Sequence, residues 1–371
     1  MRKPTWIAAA VAGLAASATA GAEPWMSVIE PRQLVFPRDH AAHEDYRIEW
    51  WYYTGNLQTA AGRQFGYQLT FFRTGLAPQP TSPSRWAIRD LYVAHFAVSD
   101  VEAQQLHCFQ RANRRGVGWA GAATDRLQVW NGSWEVRLAG ENHLVKAEDG
   151  RCQIEFTLRP ARPPVMHGEA GMTRKGSSPG NASYYYSLTR MLTAGSLTVD
   201  GTTHTVTGAS WMDHEFSSSF LEEGQQGWDW LSIQLDDGRE LMLYRIRQSD
   251  AAASPYSLGT IVGPDGTAES IGGSQFTLVP GRRWRSADTG AEYPIQWTLE
   301  SPRRDIKLDI QAAFANQEMN TVASTGFPYW EGSVRVQGTW SGRLVAGRGY
   351  LEMTGYHGPG LRIGLPQEPA Q

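Results

Sequence analysis

The feature that most constrains the fold of this 371-residue chain is a pattern that occurs twice. It is present in "GSLTVDGTTHTVTGASWMDHEF" (195–216) and again in "GSVRVQGTWSGRLVAGRGYLEMTGY" (332–356). Both begin Gly-Ser-x-x-Val-x-Gly-Thr, and in both a Gly stands three residues before an aromatic residue that an acid follows two residues later. The matched pairs are Gly195 with Gly332, Gly201 with Gly338, Gly208 with Gly347, Trp211 with Tyr350, and Asp213 with Glu352. An internal repeat of this kind predicts two copies of one structural unit.

A second pair of matching segments opens each half of the chain. The two segments are "WYYTGNLQTAAGRQFGYQLTFFR" (51–73) and "WDWLSIQLDDGRELMLYRIR" (228–247). In each, an aromatic strand pattern leads through a polar turn with Gly-Arg to a second aromatic strand. Two matches in the same order favour a duplication, although β-hairpins in general share such features. The duplication predicts an N-terminal domain over 36–216 and a C-terminal domain over 217–365, packed together because no long linker separates them.

The strands themselves are predicted from alternating apolar and polar residues. Segments such as "FGYQLTFFR" (65–73), "LQVWNGSWEVRLAG" (127–140) and "ASYYYSLTRM" (182–191) mix aromatic and β-branched residues between turn-forming ones. Beyond the N-terminal segment, no stretch shows a convincing 3.6-residue apolar period. The chain is therefore predicted to be all-β. Antiparallel strands in this number close most economically into barrels, because closure removes exposed edges.

The first 22 residues have the layout of a cleaved secretory signal. Arg2 and Lys3 precede an apolar stretch at 7–14, and small residues suited to cleavage follow at 20–22. The apolar stretch is too short to span a bilayer, so a membrane anchor is the less favoured alternative. We therefore expect a periplasmic or secreted protein.

Charge and cysteine content exclude several classes of function. The net charge is −3 and becomes −5 without Arg2 and Lys3 (32 basic against 37 acidic residues), which gives no electrostatic footprint for nucleic acid. Two cysteines, Cys108 and Cys152, are too few for a Cys-rich metal site. In an oxidising compartment they could form a disulfide or remain buried thiols, and both alternatives stay open.

The densest group of chemically active residues is "WMDHEF" (211–216), at the end of the first copy. Along a strand, Asp213 and Glu215 face one way and His214 faces the other. In the second copy Met353 stands where His214 stands in the first, so the full cluster occurs once. A structural role would be repeated in both copies, and a single occurrence therefore favours a functional site.

Three alternatives remain open for this cluster. It could bind a metal ion together with His95 or His43, although helical ligand spacing is absent and neither a metal nor another cofactor is predicted. It could pair His214 with a serine nucleophile at 217–219, although no Gly-x-Ser-x-Gly elbow surrounds these serines. It could instead be an acid–His pair that hydrogen bonds lock at the domain junction.

Aromatic residues accompany the acids. In "EWWYY" (49–53) both faces of the strand are aromatic and one also carries Glu49, and similar runs occur at 184–186, 228–230 and 328–330. Such an excess of Trp and Tyr suits an apolar pocket with a few polar groups, although a plain barrel core explains it equally well. If the pocket does chemistry, adding water to an isolated alkene suits it. That reaction needs a carboxylic acid kept protonated by apolar surroundings and aromatic faces beside the carbocation.

These arguments lead to two sets of candidate residues. The predicted catalytic residues are Asp213, His214, Glu215, Glu49 and Asp229. The predicted ligand-binding residues are Trp50, Trp51, Tyr52, Tyr53, Tyr185, Trp211, Trp228, Trp230 and His95. The stretch "RKGSSPGN" (174–181) lacks the context of a phosphate loop and is predicted to be a surface loop.

Seven ordered motifs resemble one family. They are "HEDYRIEWWYYTGNL", "RQFGYQLTFFR", "AHFAVSD", "RKG" with "NASYYYSLTRM", "WMDHEF" with "QQGWDW", "LDDGRELMLYRIR", and "YWEGSVRVQGTW" with "GRGYLEMTGY". Together they resemble the AttH-like, hydroxyneurosporene-synthase-like lipocalin family from about residue 40 to residue 356. The resemblance implies two lipocalin-like (calycin) β-barrel domains in tandem. It also implies either carotenoid 1,2-hydratase-type water addition without a redox cofactor, a secreted hydrolase, or an exported accessory protein of an ABC transporter.

Three functions are therefore expected as alternatives. The leading one is an exported lipocalin-like protein that binds a hydrophobic, lipid- or isoprenoid-like ligand, with an ABC-transporter permease as a candidate partner. The second is a carotenoid 1,2-hydratase-like or hydrolase enzyme that acts on an apolar substrate by carboxylate and His acid–base catalysis. It requires the predicted catalytic residues to converge in one cavity. The third is a structural module in which the acid–His cluster only locks the domain interface.

Overall fold

The structure is a computed structural model that describes residues 25–78, 82, 84, 86–249 and 253–358. The predicted signal segment, 1–22, lies outside the described residues. Almost all of the regular structure is β-strand. In chain order the strands are β1 (Ile48–Gln58), β2 (Gln64–Gly75), β3 (Asp90–Asp100), β4 (Gln105–Arg114), β5 (Ala120–Ala122), β6 (Gln128–Asn131), β7 (Trp134–Ala139), β8 (Asn142–Asp149), β9 (Cys152–Pro160), β10 (Val165–Met166), β11 (Met172–Arg174), β12 (Ala182–Val199), β13 (Thr202–Ser217), β14 (Gln225–Leu235), β15 (Glu240–Gln248), β16 (Leu258–Val262), β17 (Ala268–Gly272), β18 (Thr277–Pro280), β19 (Arg283–Arg285), β20 (Glu292–Pro294), β21 (Gln296–Ser301), β22 (Ile306–Ala312), β23 (Glu318–Met319), β24 (Tyr329–Trp340) and β25 (Arg343–Met353).

Helices are short and few within these ranges. Three 3₁₀ turns span Arg38–His40, Gly273–Gln275 and Pro302–Arg304, and a single α-helical turn, α1, spans Val322–Thr325. None of the helices in the described part of the chain has the length and apolar character needed to cross a bilayer.

The strands form two large antiparallel sheets with the same plan. In the first the order is β4-β3-β2-β1-β13-β12-β9-β8-β7-β6-β5, and in the second it is β17-β16-β15-β14-β25-β24-β22-β21-β18. In each sheet a final long hairpin returns to pair with the first strand, as β13 does with β1 and β25 with β14. Each sheet curls around its own apolar core. The prediction of an all-β chain with two tandem lipocalin-like barrels is therefore confirmed, whereas the exact limits of 36–216 and 217–365 stay predictions.

The repeated glycines explain how the two long hairpins fit. A Cβ at Gly208 would lie 2.2 Å from the carbonyl oxygen of Asn56, and a Cβ at Gly347 would lie 2.3 Å from that of Gln234. The two glycines thus have the same structural role, as the repeat predicts: each allows the backbone of a neighbouring strand to approach closely. In the structure Gly195 corresponds to Gly338 and not to Gly332. Both Gly195 and Gly338 have φ of +158°, and a Cβ on either would meet the backbone of a neighbouring strand. The correspondence is shifted because the C-terminal hairpin is shorter than the N-terminal one.

We expect Gly208→Ala to destabilise the first barrel by about 1–3 kcal/mol. The added methyl group meets backbone atoms of β1, which cannot rotate away as a side chain can. Urea unfolding followed by tryptophan fluorescence measures the loss. The matched control is Gly272→Ala, where a Cβ has no neighbour within 4 Å. Equal unfolding midpoints for the two variants would contradict this account.

The position of β1 explains why "EWWYY" is aromatic on both faces of the strand. Trp51 and Tyr53 point into the core of the first barrel. Tyr52, and Trp50 at its edge, belong instead to a separate apolar cluster that also contains Trp230 of the second barrel. Both faces are buried because the strand lies between a barrel interior and a domain interface.

Polar contacts fix the two barrels against each other as well. Arg190 Nε and Arg162 Nη1 donate to the buried carboxylate of Glu240 at 2.6 and 2.7 Å. The Gln234 amide donates to the backbone oxygens of Thr189 and Ser210. The packing of the two domains predicted from the short junction is therefore present.

The cysteines are free thiols. Cys108 lies on β4 and is exposed, whereas Cys152 lies at the start of β9 and is buried. The alternative of free thiols therefore holds, although only Cys152 is buried as that alternative expected.

Candidate active site between the two barrels

The candidate site lies where the barrels face each other, and strands β1, β12 and β13 supply its first half. The register places Tyr52 of β1 and Ser187 of β12 directly opposite Asp213 of β13. Opposed residues of antiparallel strands share a face, so Tyr52, Ser187 and Asp213 lie on the same side of the sheet. Tyr52 lies outside the core of the first barrel, and this side therefore faces away from that core. Two residues further along β13, Glu215 has Tyr185 opposite it on the same face.

Asp213 is held by three neutral donors. Tyr185 O–H and Trp211 Nε1–H each donate to it at 2.6 Å, and Ser187 O–H donates to the same oxygen as the indole. The residue is 4% exposed. Burial raises the pKa of Asp213 to about 7, because the donors lower it by less than desolvation and the nearby Glu215 raise it. At neutral pH a large fraction of Asp213 therefore carries a proton that it can give to a substrate.

The second barrel contributes two more acids, a buried Glu331 and a half-buried Glu352. Glu331 of β24 and Glu352 of β25 are opposed in register, and Trp228 Nε1–H donates to Glu352 at 3.0 Å. Burial raises the pKa of Glu331, and the negative charge of Glu352 raises it further. Burial, with Asp213 and other acids nearby, also raises the pKa of Glu352. Such a pair holds one proton between two carboxyl groups more readily than it ionises fully.

Several buried polar atoms at this interface are loosely held. Within the described residues, both carboxylate oxygens of Glu331 and the hydroxyls of Tyr52 and Tyr244 make no hydrogen bond of ideal geometry. Weaker hydrogen bonds from Tyr52 and Tyr329 still lower the pKa of Glu331, against the larger effect of its burial. Buried polar groups are nearly always well satisfied, so a cluster of loosely held ones suits contact with water or a bound molecule.

Lys175 brings a positive charge to the same interface. Its Nζ lies 3.0 Å from Glu215 Oε1 and 4.2 Å from the centre of the Tyr244 ring. Although burial opposes its charge, Glu215 raises the pKa of Lys175. The loop that carries it is fastened where the Ser178 peptide N–H donates to the Glu222 carboxylate at 2.8 Å. The stretch 174–181 is mostly an exposed loop, as predicted, but the side chain of Lys175 turns inward and is 20% exposed.

A hydrogen-bonded path leads away from Asp213. Ser187 Oγ lies 2.6 Å from His167 Nε2, and His167 Nδ1 lies 2.8 Å from Thr260 Oγ1 of the second barrel. Burial lowers the pKa of His167 to about 3, so the ring is neutral at pH 7. Because Ser187 donates to Asp213, Nε2–H of the ring donates to Ser187 and Nδ1 accepts from Thr260. This path can move a proton to or from Asp213.

The five predicted catalytic residues do not converge in one cavity. Asp213 and Glu215 lie at the interface, whereas His214 faces the opposite side of β13 and lies inside the first barrel with Glu49. Alternation along the strand separates them, as the sequence predicts for His214. The single-cavity arrangement that the enzyme hypothesis expected is therefore corrected to a smaller set at the interface.

Asp229 lies in a third place. It points into the second barrel, where Arg245 Nη2 is 2.7 Å from its Oδ2 and Tyr356 O–H donates to its Oδ1 at 2.8 Å. Arg247 is 3.4 Å from the same carboxylate. Two guanidinium groups and a tyrosine hydroxyl thus hold Asp229 inside the second barrel, away from Asp213.

The predicted ligand-binding residues divide in the same way. Those at the interface are Trp50, Tyr52, Tyr185, Trp211, Trp228 and Trp230. Trp51 and Tyr53 belong to the core of the first barrel. His95 contacts the second barrel, with its Nδ1 2.8 Å from Tyr329 Oη and its Nε2 3.0 Å from Ser324 Oγ. It therefore borders the site through Tyr329 without lining it.

Inside the first barrel a second polar group, here called the His–Glu–His cluster, consists of His43, Glu49 and His214. Glu49 Oε1 lies 2.9 Å from His43 Nδ1 and 2.8 Å from His214 Nε2. Its other oxygen accepts from Arg73 Nε at 3.1 Å. The Trp51 and His214 rings are stacked, with centroids 4.9 Å apart.

Sequence reasoning missed Lys175, Glu331, Tyr244, Ser187 and the role of His167. Glu331 was detectable, because it follows Tyr329 and Trp330 directly, just as Glu49 precedes an aromatic run. Lys175 carried no such signal, since its position in a Gly/Ser-rich loop is typical of exposed residues.

Fold and site together define a class: a double-barrel, lipocalin-like protein in which carboxyl groups of raised pKa lie among aromatic rings. The chain belongs to the AttH-like family, whose model matches residues 27–356. A crystal structure of an AttH-type protein from Nitrosomonas europaea is 35% identical, with a TM-score of 0.81, and the match covers 89% of this chain and 99% of that one.

Two further relatives are more distant. The crystal structure of kievitone hydratase from Nectria haematococca has a TM-score of 0.67 at 14% identity, covering 89% of this chain and 98% of that chain, and so is similar in fold. The dehydratase asqC of Emericella nidulans is 22% identical over 279 residues, which are 72% of this chain and 77% of the relative.

Proposed function

We propose that the chain is a hydro-lyase that adds water to, or removes it from, an apolar substrate bound between the two barrels. The observation that carries the proposal is Asp213, a carboxyl group with a pKa of about 7 among Tyr52, Tyr185, Trp211 and Trp230. Two relatives support the same reaction class, since one is named a hydratase and the other a dehydratase.

In the direction of hydration, Asp213 gives its proton to one alkene carbon, and the π bond becomes a carbocation at the other. The rings of Tyr52 and Trp230 pack edge to face, with centroids 5.1 Å apart, and we assign to this aromatic wall the stabilisation of that charge by an electron-rich ring face. Water then forms the C–O bond and loses a proton to the ionised member of the Glu331–Glu352 pair. Dehydration is the same sequence reversed.

The carboxyl groups must return to their starting state after each turnover. Asp213 needs a proton, and the Glu331–Glu352 pair has gained one, so no external oxidant or reductant takes part. The path through Ser187 and His167 reaches Asp213 at Oδ1, the oxygen that also accepts from the Trp211 indole. We assign to it the return of the proton.

The N-terminal signal-like segment supports a reaction that takes place after export. The same aromatic interface could instead hold a hydrophobic ligand without changing it, as the binding hypothesis expects, with a transporter permease as the partner. The two functions share a site and differ in turnover, so one assay separates them.

The test is incubation of the purified protein in ¹⁸O-labelled water with a panel of isolated alkenes and tertiary alcohols, followed by mass spectrometry. The proposal expects products that carry one ¹⁸O, or alkenes formed from the alcohols. Recovery of a tightly bound but unchanged compound would support the binding function instead. If no compound is bound or converted, both functions are contradicted.

We expect the rate of this reaction to fall about tenfold per pH unit above pH 7. The acidic form of Asp213 is the active one, and its pKa of about 7 means that the form is lost as the pH rises through that value. A rate profile from pH 5 to 9, with circular dichroism at each pH to show that the fold is unchanged, measures the effect. A rate that rises between pH 7 and 9 would contradict the role of Asp213 as the acid.

A further inference from the structure

We propose that the His–Glu–His cluster binds one divalent transition-metal ion, Zn²⁺ by the chemistry of its donors, inside the first barrel. The donors come from three segments: His43 precedes β1, Glu49 lies on β1 and His214 lies on β13. One donor atom from each lies within 4.8 Å of the others. This site is separate from the interface, because His214 and Asp213 face opposite sides of β13.

The surroundings of each donor are those of a metal ligand. His43 Nε2, the nitrogen that faces away from the cluster, lies 3.0 Å from Asp39 Oδ1. His214 Nδ1 lies 2.9 Å from Tyr186 Oη, and Glu49 Oε2 accepts from Arg73 Nε. Ligating imidazoles usually have their second nitrogen bonded to a carboxylate or another oxygen, and ligating carboxylates are themselves hydrogen-bonded.

The positions of the hydrogen-bond donors support a cation at Glu49 Oε1. Asp39 and Glu49, when ionised, accept hydrogen bonds and cannot donate them. His43 lies between them, so either both of its nitrogens carry protons or a cation takes the place of the proton on the Glu49 side. His214 Nε2 also points at this oxygen. Two imidazole nitrogens therefore converge on one buried carboxylate oxygen.

The donor set and its geometry favour zinc-like ions. Two imidazole nitrogens and one carboxylate oxygen form a three-ligand set that leaves a fourth, open position. Tetrahedral coordination at about 2.0–2.1 Å places ligand atoms roughly 3.4 Å apart. The N···O separations of 2.8 and 2.9 Å would therefore open by roughly half an ångström, a small movement for side chains.

The test uses full-length protein without a histidine tag, stripped with a chelator and titrated with Co²⁺ as a visible-absorbance probe. We expect one Co²⁺ per chain, with the intense bands of a four-coordinate ion, and displacement by Zn²⁺. His43→Gln and Glu49→Gln should each weaken binding at least tenfold. The matched control is His204→Gln, because His204 lies near the turn of the β12–β13 hairpin, outside the cluster. It should bind as the wild type does.

A second measurement keeps the test decisive if a variant folds poorly. The wild-type melting temperature should rise as Zn²⁺ is added to the stripped protein and fall back when chelator is restored. No stoichiometric binding, binding unchanged in His43→Gln, or a melting temperature indifferent to Zn²⁺ and chelator would each overturn the proposal. The cluster would then be held by protons alone.

Discussion

Asp213→Asn is expected to lower the rate of water addition by about 10²–10⁴-fold, the usual contribution of a general acid. The amide has the shape of the carboxyl group and still accepts from Trp211 and Ser187, but it has no acidic proton to give. Stability should not suffer. The pKa of Asp213 rises from 3.8 in the unfolded chain to about 7 in the folded protein, so this carboxyl group lowers stability progressively as the pH rises between those values. The loss is complete above pH 7, and the neutral amide removes it.

The measurement compares turnover, ligand affinity and melting temperature of Asp213→Asn with those of the wild type at pH 7 and pH 8. The matched control is Asp309→Asn, an exposed position on β22 whose carboxylate accepts from Thr298. If Asp213→Asn melts several degrees lower and binds ligand as well as the wild type, the residue only locks the interface. If it keeps full turnover, the proposed acid is wrong.

Glu49→Ala is expected to destabilise the first barrel by about 3–5 kcal/mol. Glu49 and Arg73 form an ion pair in which both side chains are fully buried. Removing the carboxylate leaves the Arg73 charge in the interior with Asp90 alone among its acids, at 3.2 Å. An uncompensated buried charge is among the most costly single changes a protein can suffer. It also removes the acceptor shared by His43 and His214.

Chemical denaturation in the presence of chelator measures this loss without a contribution from bound metal. The matched control is Glu155→Ala, because the Glu155–Lys146 pair is half exposed on both sides and should cost no more than about 1 kcal/mol. Equal losses in the two variants would show that the Glu49–Arg73 pair contributes nothing beyond a surface contact.

The Glu49–Arg73 pair also predicts how the stability of the fold changes at acid pH. Although burial opposes ionisation, hydrogen bonds from His214 and His43 and the charge of Arg73 together hold the pKa of Glu49 below its usual range. Its stabilisation is therefore present above the unfolded-state value near 4.5 and is lost as the pH falls below that value. Wild-type stability should drop more steeply than that of Glu49→Ala between pH 5 and pH 3.

Much of the architecture followed from local patterns. Alternation along β13 predicted that Asp213 and Glu215 share a face and that His214 lies on the other, and the register agrees. The repeat predicted two barrels. Gly208 and Gly347 occupy equivalent positions in them, because each allows the backbone of a neighbouring strand to approach closely. Where the strands of the two hairpins differ in length, as beside Gly195, the match by sequence was shifted.

The sequence by itself determined the duplication, the strands and the division of each strand into two faces, because these depend on residues a few positions apart. Only the tertiary structure decided what each face meets. It buried Lys175 against Glu215, joined Glu331 to the site, and enclosed Asp229 between arginines. Such contacts join segments far apart in the chain, and their geometry depends on how two curved sheets pack, which no local pattern records.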